Sequence, residues 1–99
     1  MAFVRIAFFA AVCADDFAVL ERELAAAPRP VDRHVFAAGP VEGGWQVVQI
    51  WESKSGLDAF NAAHLVPAMQ RLADSPFTQR PEITDFDTTS FDVRGSVGY

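Results

Sequence analysis

The residues best suited to chemistry lie on one helical run in the second half of the chain. His64 follows Asn61 by three positions and Phe60 by four, so in a helix over Leu57 to Leu72 the three side chains share a face. A histidine held among apolar residues can accept a proton near neutral pH. The Asn61 amide can donate a hydrogen bond to a carbonyl or enolate oxygen. We therefore predict His64 and Asn61 as the catalytic residues of a site for a small organic molecule.

Both candidates have a structural alternative. His64 also fits a core or helix-end histidine bonded to a backbone carbonyl, and Asn61 fits a solvent-facing amide. Whether the two side chains and Trp51 reach one enclosed cavity is the feature that separates the alternatives.

A second group of candidates lies on a strand. Trp45 to Trp51 alternates in the period of a strand, which places Trp45, Val47, Gln49 and Trp51 on one face. These side chains would form an aromatic wall with one hydrogen-bonding amide, suited to stacking a flat ligand. Our predicted substrate-binding residues include Trp51 and Gln49 from this strand and Phe60 from the helix. Burial in the core explains the two tryptophans equally well.

His34 and Arg5 complete the predicted substrate-binding set. His34 is placed by strand alternation on the face of Phe36, towards a pocket or a subunit interface. Arg5 interrupts an apolar strand and requires either a carboxylate partner, Asp85 or Asp87, or an anionic ligand; the ion pair is favoured. Metal binding is not predicted, because no third ligand has a useful spacing from the histidines.

Composition restricts the partners. The chain has 99 residues, which predicts a single domain over residues 1–99, and it carries a formal net charge of −5. Without a run of Lys or Arg, this charge argues against nucleic acid and anionic membranes. The single cysteine, Cys13, suits a reducing compartment, so a cytoplasmic location is expected. The longest apolar stretch is shorter than the ~20 residues that span a bilayer.

The elements that must position these residues follow in a clear order. Strands are predicted at Phe3 to Phe9, Val31 to Ala38, Trp45 to Trp51 and Glu82 to about Thr89. A first helix, capped by Asp15 or Asp16, lies between the first two strands, and a second, capped by Ser53 or Ser55, lies between the last two. Pro67 is expected to kink the second helix or to split it. The last strand is predicted to carry a bulge or to lie at a sheet edge.

This βαββαβ order predicts a ferredoxin-like α+β fold, with a four-stranded antiparallel sheet and both helices on one face. The other face would then lack a cover. A second copy of the same sheet is the simplest one, so we predict a homodimer in which the tail from Phe91 to Tyr99 reaches the neighbour.

The run Gly43-Gly44-Trp45-Gln46-Val47-Val48-Gln49-Ile50-Trp51-Glu52-Ser53, followed by Leu57-Asp58-Ala59-Phe60 and His64-Leu65-Val66-Pro67-Ala68, resembles the dimeric α+β barrel superfamily. Within it, the chain is similar to the small antibiotic biosynthesis monooxygenase-like proteins. The resemblance implies a dimer whose two sheets form a barrel and a pocket between each sheet and its helices. It also implies a monooxygenase that needs no cofactor and acts on a hydrophobic quinol-like or anthrone-like aromatic molecule.

The resemblance leaves other functions open. A non-catalytic dimeric barrel that binds a hydrophobic ligand, or that serves in a stress response or an assembly, is the main alternative. An isomerase or dehydratase working through His64 is a third. Haem degradation is disfavoured, because strand one has no Asn, Phe60 stands where that branch has Trp, and Gln70 stands where it has His.

Overall fold

A computed structural model describes residues 2–72, 74 and 76–92 of the chain. Its strands are β1 (Phe3–Ala10), β2 (Arg33–Val41), β3 (Gly44–Trp51) and β4 (Glu82–Asp87). Its helices are α1 (Ala14–Leu24), α2 (Lys54–Phe60) and α3 (Val66–Arg71), with a π-helical turn (Asn61–Leu65) between α2 and α3 and a short 3₁₀ turn (Pro76–Thr78) before β4.

The four strands form one antiparallel sheet in the order β2-β3-β1-β4. Each helical segment connects a strand to its second neighbour in the sheet, with one antiparallel strand between them. This is the split arrangement of the ferredoxin-like fold, and the predicted α+β class is confirmed.

The core identifies the face of the sheet that the helices cover. Phe3 of β1 and Trp51 of β3 pair in register and pack with Leu57 of α2, which is fully buried. A larger cluster joins Trp45 and Val47 to α1, α3 and the 3₁₀ turn. Both tryptophans therefore lie between sheet and helices, where burying them removes a large apolar area from water.

The second helix is divided where Pro67 was expected to disturb it. Ser53 caps α2 by accepting a hydrogen bond from the Gly56 N–H, as predicted for one of the two serines. Further along, the Val66 N–H donates to the Asn61 carbonyl, a π-type bond. Pro67 then falls in the first turn of α3, directly after this π-type bond. A proline has no N–H to donate to the preceding turn, so the regular α-helical bonding is interrupted here.

The cap of α1, the length of the β2–β3 turn and the pairing of β2 differ from the sequence prediction. The cap of α1 is Cys13, because the Asp16 carboxylate accepts from the Cys13 N–H at 3.0 Å and serves as the third helical residue of a capping box. The β2–β3 hairpin pairs as far as Val41 and Gly44, so two residues make the turn and not six. Gly43 takes a φ of 82°, which favours glycine.

The third difference is an irregularity in β2. Arg33 pairs with Trp51, Val35 with Ile50 and Phe36 with Gln49, so His34 is an extra residue in the ladder. Such a bulge reverses the alternation. The prediction that His34 shares a face with Phe36 is therefore wrong, and Arg33 lies on that face instead. The last strand is an edge strand, as expected, but its register with β1 is unbroken.

Candidate functional site

A cleft of about 530 Å³ lies between the covered face of the sheet and the helices. Its apolar lining comes from every strand, from all three α-helices and from the π-helical turn, and includes Phe9, Phe17, Leu20, Leu24, Phe36, Val47, Phe60, Leu65, Met69 and Ile83. Its polar lining is small and consists of Arg5, Glu21, Arg29, Arg33, Gln49 and Asn61. A mostly apolar cleft with a few polar groups is typical of a site for a small organic molecule.

Aromatic rings give the cleft flat walls. The rings of Phe17 on α1 and Phe36 on β2 are nearly parallel, with centroids 6.3 Å apart and an interplanar angle of 18°. Phe17 also contacts the buried Trp45 ring at 5.3 Å, and Phe60 contacts Trp51 at 5.8 Å. Rings held by a second layer of rings keep their orientation, which suits stacking against a planar ligand.

Arg5 enters the cleft from the centre of β1 and makes the ion pair that its apolar surroundings predicted. Its Nε and Nη2 donate to the two carboxylate oxygens of Asp85, its register partner on β4, each at 2.9 Å. The hydrogen bonds and charge of Arg5 hold the pKa of Asp85 below its usual value. With two sets of donors occupied, the third nitrogen, Nη1, has no bond to any described residue.

Gln49 lies opposite Arg5 on β3, and Trp51 fixes its amide. The Trp51 Nε1 donates to the Gln49 Oε1 at 2.9 Å. Because an indole N–H can only donate, it must face the amide oxygen, and the NH₂ group of Gln49 is left as a donor at the cleft. The Trp51 side chain is 1% exposed and supports the site from behind instead of lining it.

Asn61 and Phe60 line the cleft where α2 gives way to the π-helical turn. The extra residue of a π turn shifts the following side chains around the helix axis, and such turns are frequent at functional sites. The Asn61 amide makes no hydrogen bond with the described part of the chain, so it is available to a ligand. Of the predicted site residues, four line the cleft, and their roles stay predictions: Arg5, Gln49, Phe60 and Asn61.

The two histidines have other surroundings. His64 contacts the Phe60 ring at 5.2 Å, behind the ring that lines the cleft, and is not among the described lining residues. His34, displaced by the bulge, has its Nε2 2.8 Å from the Glu52 Oε2 and its ring 5.3 Å from Phe91. The structure therefore brings neither imidazole to the cleft surface, and the predicted role of His64 stays a prediction.

Arg33 is the cleft residue that sequence reasoning missed. Its guanidinium stacks over the Phe36 ring at 4.6 Å and lies 5.9 Å from the rings of Trp51 and Phe60. No carboxylate among the described residues pairs with it. Partial burial, followed by repulsion from Arg29, lowers the pKa of Arg33. Strict alternation would place Arg33 and Phe36 on opposite faces of the strand. The bulge at His34 puts them on the same face, and no residue in the sequence signals that bulge.

Metal and membrane features are absent from the described residues. In that part of the chain, no group of three or more His, Cys, Asp or Glu side chains could hold a metal ion. No helix there is long and apolar enough to cross a bilayer.

Solved structures share this fold. Rv0793 from Mycobacterium tuberculosis superposes with a TM-score of 0.70 at 13% identity, covering 94% of this chain and 100% of that one. A candidate antibiotic biosynthesis monooxygenase from Deinococcus radiodurans has a TM-score of 0.62 at 12% identity, with coverages of 96% and 100%. A single-residue variant of SnoaB, a cofactor-independent oxygenase from Streptomyces nogalater, has 0.60 at 14%, with coverages of 91% and 93%.

At these identities the likeness establishes the fold. No family model matches the sequence, and no curated protein sequence matches it. The chain thus has the ferredoxin-like α+β fold of the antibiotic biosynthesis monooxygenase-like proteins, and the resemblance seen in the sequence is confirmed at that level.

Proposed function

We propose that the protein is a monooxygenase that needs no cofactor and oxidises a hydrophobic, quinol-like or anthrone-like aromatic molecule bound in the cleft. One observation carries the proposal: hydrogen-bond donors of Arg5, Gln49 and Asn61 line an aromatic-walled cleft of about 530 Å³. The fold shared with SnoaB, described as a cofactor-independent oxygenase, supports the same class of reaction.

The donors suit the chemistry that such an oxidation requires. Loss of a proton from a ring CH₂ that is conjugated with a ring carbonyl, as across the central ring of an anthrone, gives an enolate, whose oxygen carries the negative charge. Donors fixed in an apolar site stabilise that oxygen and make the proton easier to remove. The enolate can then give electrons to dioxygen. In an anthrone, one oxygen atom replaces the two hydrogens of the ring CH₂ as a carbonyl, and the other leaves as water.

His64 is proposed as the proton acceptor. Its ring contacts Phe60, which lines the cleft, so the proposal requires the Phe60 side chain to move aside before the imidazole can reach a ligand. General-base catalysis contributes a factor of about 10² to 10⁴, so His64→Ala should lower kcat within that range.

The test is oxygen consumption with a panel of quinols and anthrones. We expect Asn61→Leu, which removes an oxyanion donor, to lower kcat about 10²-fold with a small change in KM. The matched control is Gln70→Leu, the loss of an exposed amide on α3, which should leave the rate unchanged. Equal effects of the two variants would contradict the proposal.

A second candidate is a non-catalytic barrel that binds a hydrophobic ligand. The observation in its favour is that the described cleft lining contains no imidazole and only one carboxylate, Glu21. This candidate predicts saturable binding of the same aromatic panel without oxygen consumption, and no effect of His64→Ala on affinity.

The proposed assembly is a homodimer closed through the sheet face away from the helices. Val4 of that face is already buried. The other apolar side chains of the face, which alternate with those of the cleft, are half-buried or exposed: Ile6, Phe8, Val35, Val48, Ile50 and Phe86. A second copy would remove this surface from water. Of the tail predicted to reach the neighbour, residues 93–99 lie outside the described residues.

A further inference from the structure

The cleft holds a cation without a counter-charge. Arg33 is partly buried against three aromatic rings, 4.6 Å from Phe36 and 5.9 Å from both Trp51 and Phe60. Arg5, the other arginine on the sheet face of the cleft, is neutralised by Asp85 through two bonds. Arg33 has no such partner among the described residues, although withdrawing a charge from water without pairing it is unfavourable.

The charges around the cleft are opposite to the charge of the whole molecule. The chain has 8 basic and 13 acidic residues and a net charge of −5. Three arginines line the cleft, Arg5, Arg29 and Arg33, whereas Glu21 is its acidic member among the described residues. Once Arg5 is paired with Asp85, two arginines face one carboxylate. An acidic protein thus keeps a local excess of positive charge at its main cleft.

The N–H groups of Arg33 make no hydrogen bond with the described residues, in which the bonded arginine side chains are Arg5 and Arg71. Rings that contact the flat faces of a guanidinium do not use its N–H groups, which lie in the guanidinium plane and point outwards from its edge. Two parallel N–H groups match the two oxygens of a carboxylate and also bind a single phenolate or enolate oxygen. Phe36 and Phe60 both line the cleft, so an aromatic body attached to that anion would lie beside the same two rings.

We infer that Arg33 is a specificity-determining residue that selects aromatic ligands carrying a negatively charged oxygen substituent, a carboxylate or an ionised phenol. This rests on the proposed function, because it assigns the substrate class of the same cleft. Arg33 binds the anion at the β2 side of the cleft, and the phenyl groups of Phe36 and Phe60 flank the attached ring system. Neutral aromatic molecules of the same shape lose this contact.

Calorimetric titration of the full chain with three probes at pH 7 tests the inference. 2-Naphthoate carries a carboxylate, 2-naphthamide is its neutral isostere, and 2-naphthol is un-ionised in solution. Hydrogen bonds to a charged group predict that naphthoate binds about 10-fold to 100-fold more tightly than naphthamide. If naphthol binds as the phenolate, it releases a proton, which appears as a dependence of the measured heat on the buffer.

Variants separate Arg33 from the general positive charge. Arg33→Met keeps the length and the apolar stem, and should bring naphthoate and naphthamide within about 3-fold of each other. Arg22→Met, which removes an exposed charge on α1 away from the cleft lining, is the matched control and should preserve the preference. Arg33→Lys should retain part of the preference for naphthoate over naphthamide. The comparison of probes on the unmodified protein needs no variant and holds if Arg33→Met fails to fold.

The outcomes are distinct. Equal affinities of naphthoate and naphthamide for the unmodified protein, or an unchanged preference in a folded Arg33→Met, would overturn the role of Arg33 and leave the proposed oxidation of neutral aromatics standing. Absence of binding by all three probes would overturn both proposals. A preference that Arg22→Met removes as fully as Arg33→Met would assign it to overall charge and overturn the inference.

Discussion

Arg5 and Asp85 show how one ion pair can serve both stability and the site. Arg5 lies on a central strand with a side chain 14% exposed, and Asp85 lies on an edge strand with a side chain 29% exposed. The edge carboxylate therefore neutralises a cation that would otherwise be partly buried and unpaired. It also fixes the guanidinium at the cleft, leaving Nη1 for a ligand.

The lowered pKa of Asp85 makes this contribution dependent on pH. A carboxyl group with a depressed folded-state pKa adds stability above its unfolded pKa of about 3.9, and this stability is lost as the pH falls through the folded value. Asp85→Asn should lower the free energy of unfolding by about 1 kcal/mol at pH 7. In denaturant titrations, the difference should disappear at pH values below the folded pKa of Asp85.

The neighbouring acid supplies the control. Asp87 is an exposed residue of the same strand without an ion pair to the described residues, so Asp87→Asn should change stability little at either pH. A loss for Asp85→Asn that persists in acid would assign the effect to packing and not to charge.

The β2–β3 hairpin is the element that sets the register of the sheet and therefore of the cleft face. Gly44 opens β3 between Val41 and Ala10, in close contact with both neighbouring strands. A Cβ at this position would lie 2.2 Å from the Phe9 carbonyl oxygen and 3.1 Å from the Ala10 Cα. Both atoms belong to backbone, so the contact can be relieved only by separating β1 from β3.

We expect Gly44→Ala to destabilise the protein by about 2 kcal/mol or more, because overpacking against backbone distorts the ladder. Gly39→Ala is the matched control in the same hairpin. A Cβ there would meet nothing within 4 Å, and stability should change by less than about 0.5 kcal/mol or rise slightly. Urea denaturation measures the free energy of unfolding of both variants. Similar losses of stability in the two would mean that strand propensity, and not the close approach of the Phe9 and Ala10 backbone, requires glycine at position 44.

At the scale of the whole molecule, the sheet face away from the helices has no described helix packed against it. Val48 lies at its centre, in register with Ile6 on one side and Ala37 on the other. A charge at Val48 would have to be withdrawn from water if a second sheet packs there.

We therefore expect the unmodified protein to sediment as a dimer at micromolar concentration and Val48→Glu to sediment as a monomer. Val31→Glu is the control, since Val31 precedes β2 and is 95% exposed. Analytical ultracentrifugation measures all three. A monomeric unmodified protein, or a dimer that tolerates Val48→Glu, would rule out closure through this face.

The sequence by itself determined the order of the elements and the class of fold, and it proposed four site residues that the structure places at the cleft. Local signals were enough for these: alternation defined the strands, Pro67 marked the break in the second helix, and an arginine in an apolar strand predicted its carboxylate. Spacing was enough to group these four residues, because side chains on regular elements keep the faces that their spacing assigns: Arg5, Gln49, Phe60 and Asn61.

Only the tertiary structure decided which side chains meet. The bulge at His34 exchanged that residue for Arg33 at the cleft, because one extra residue reverses every later side chain of a strand. His64 contacts the Phe60 ring, as their spacing of four residues predicts, but only the packing of the helix against the sheet decides that Phe60 lines the cleft and His64 is not among the described lining residues. The spacing of residues determines the face of each side chain while a strand or helix is regular. Where a strand gains an extra residue, only the packing of the folded chain decides which face each side chain takes.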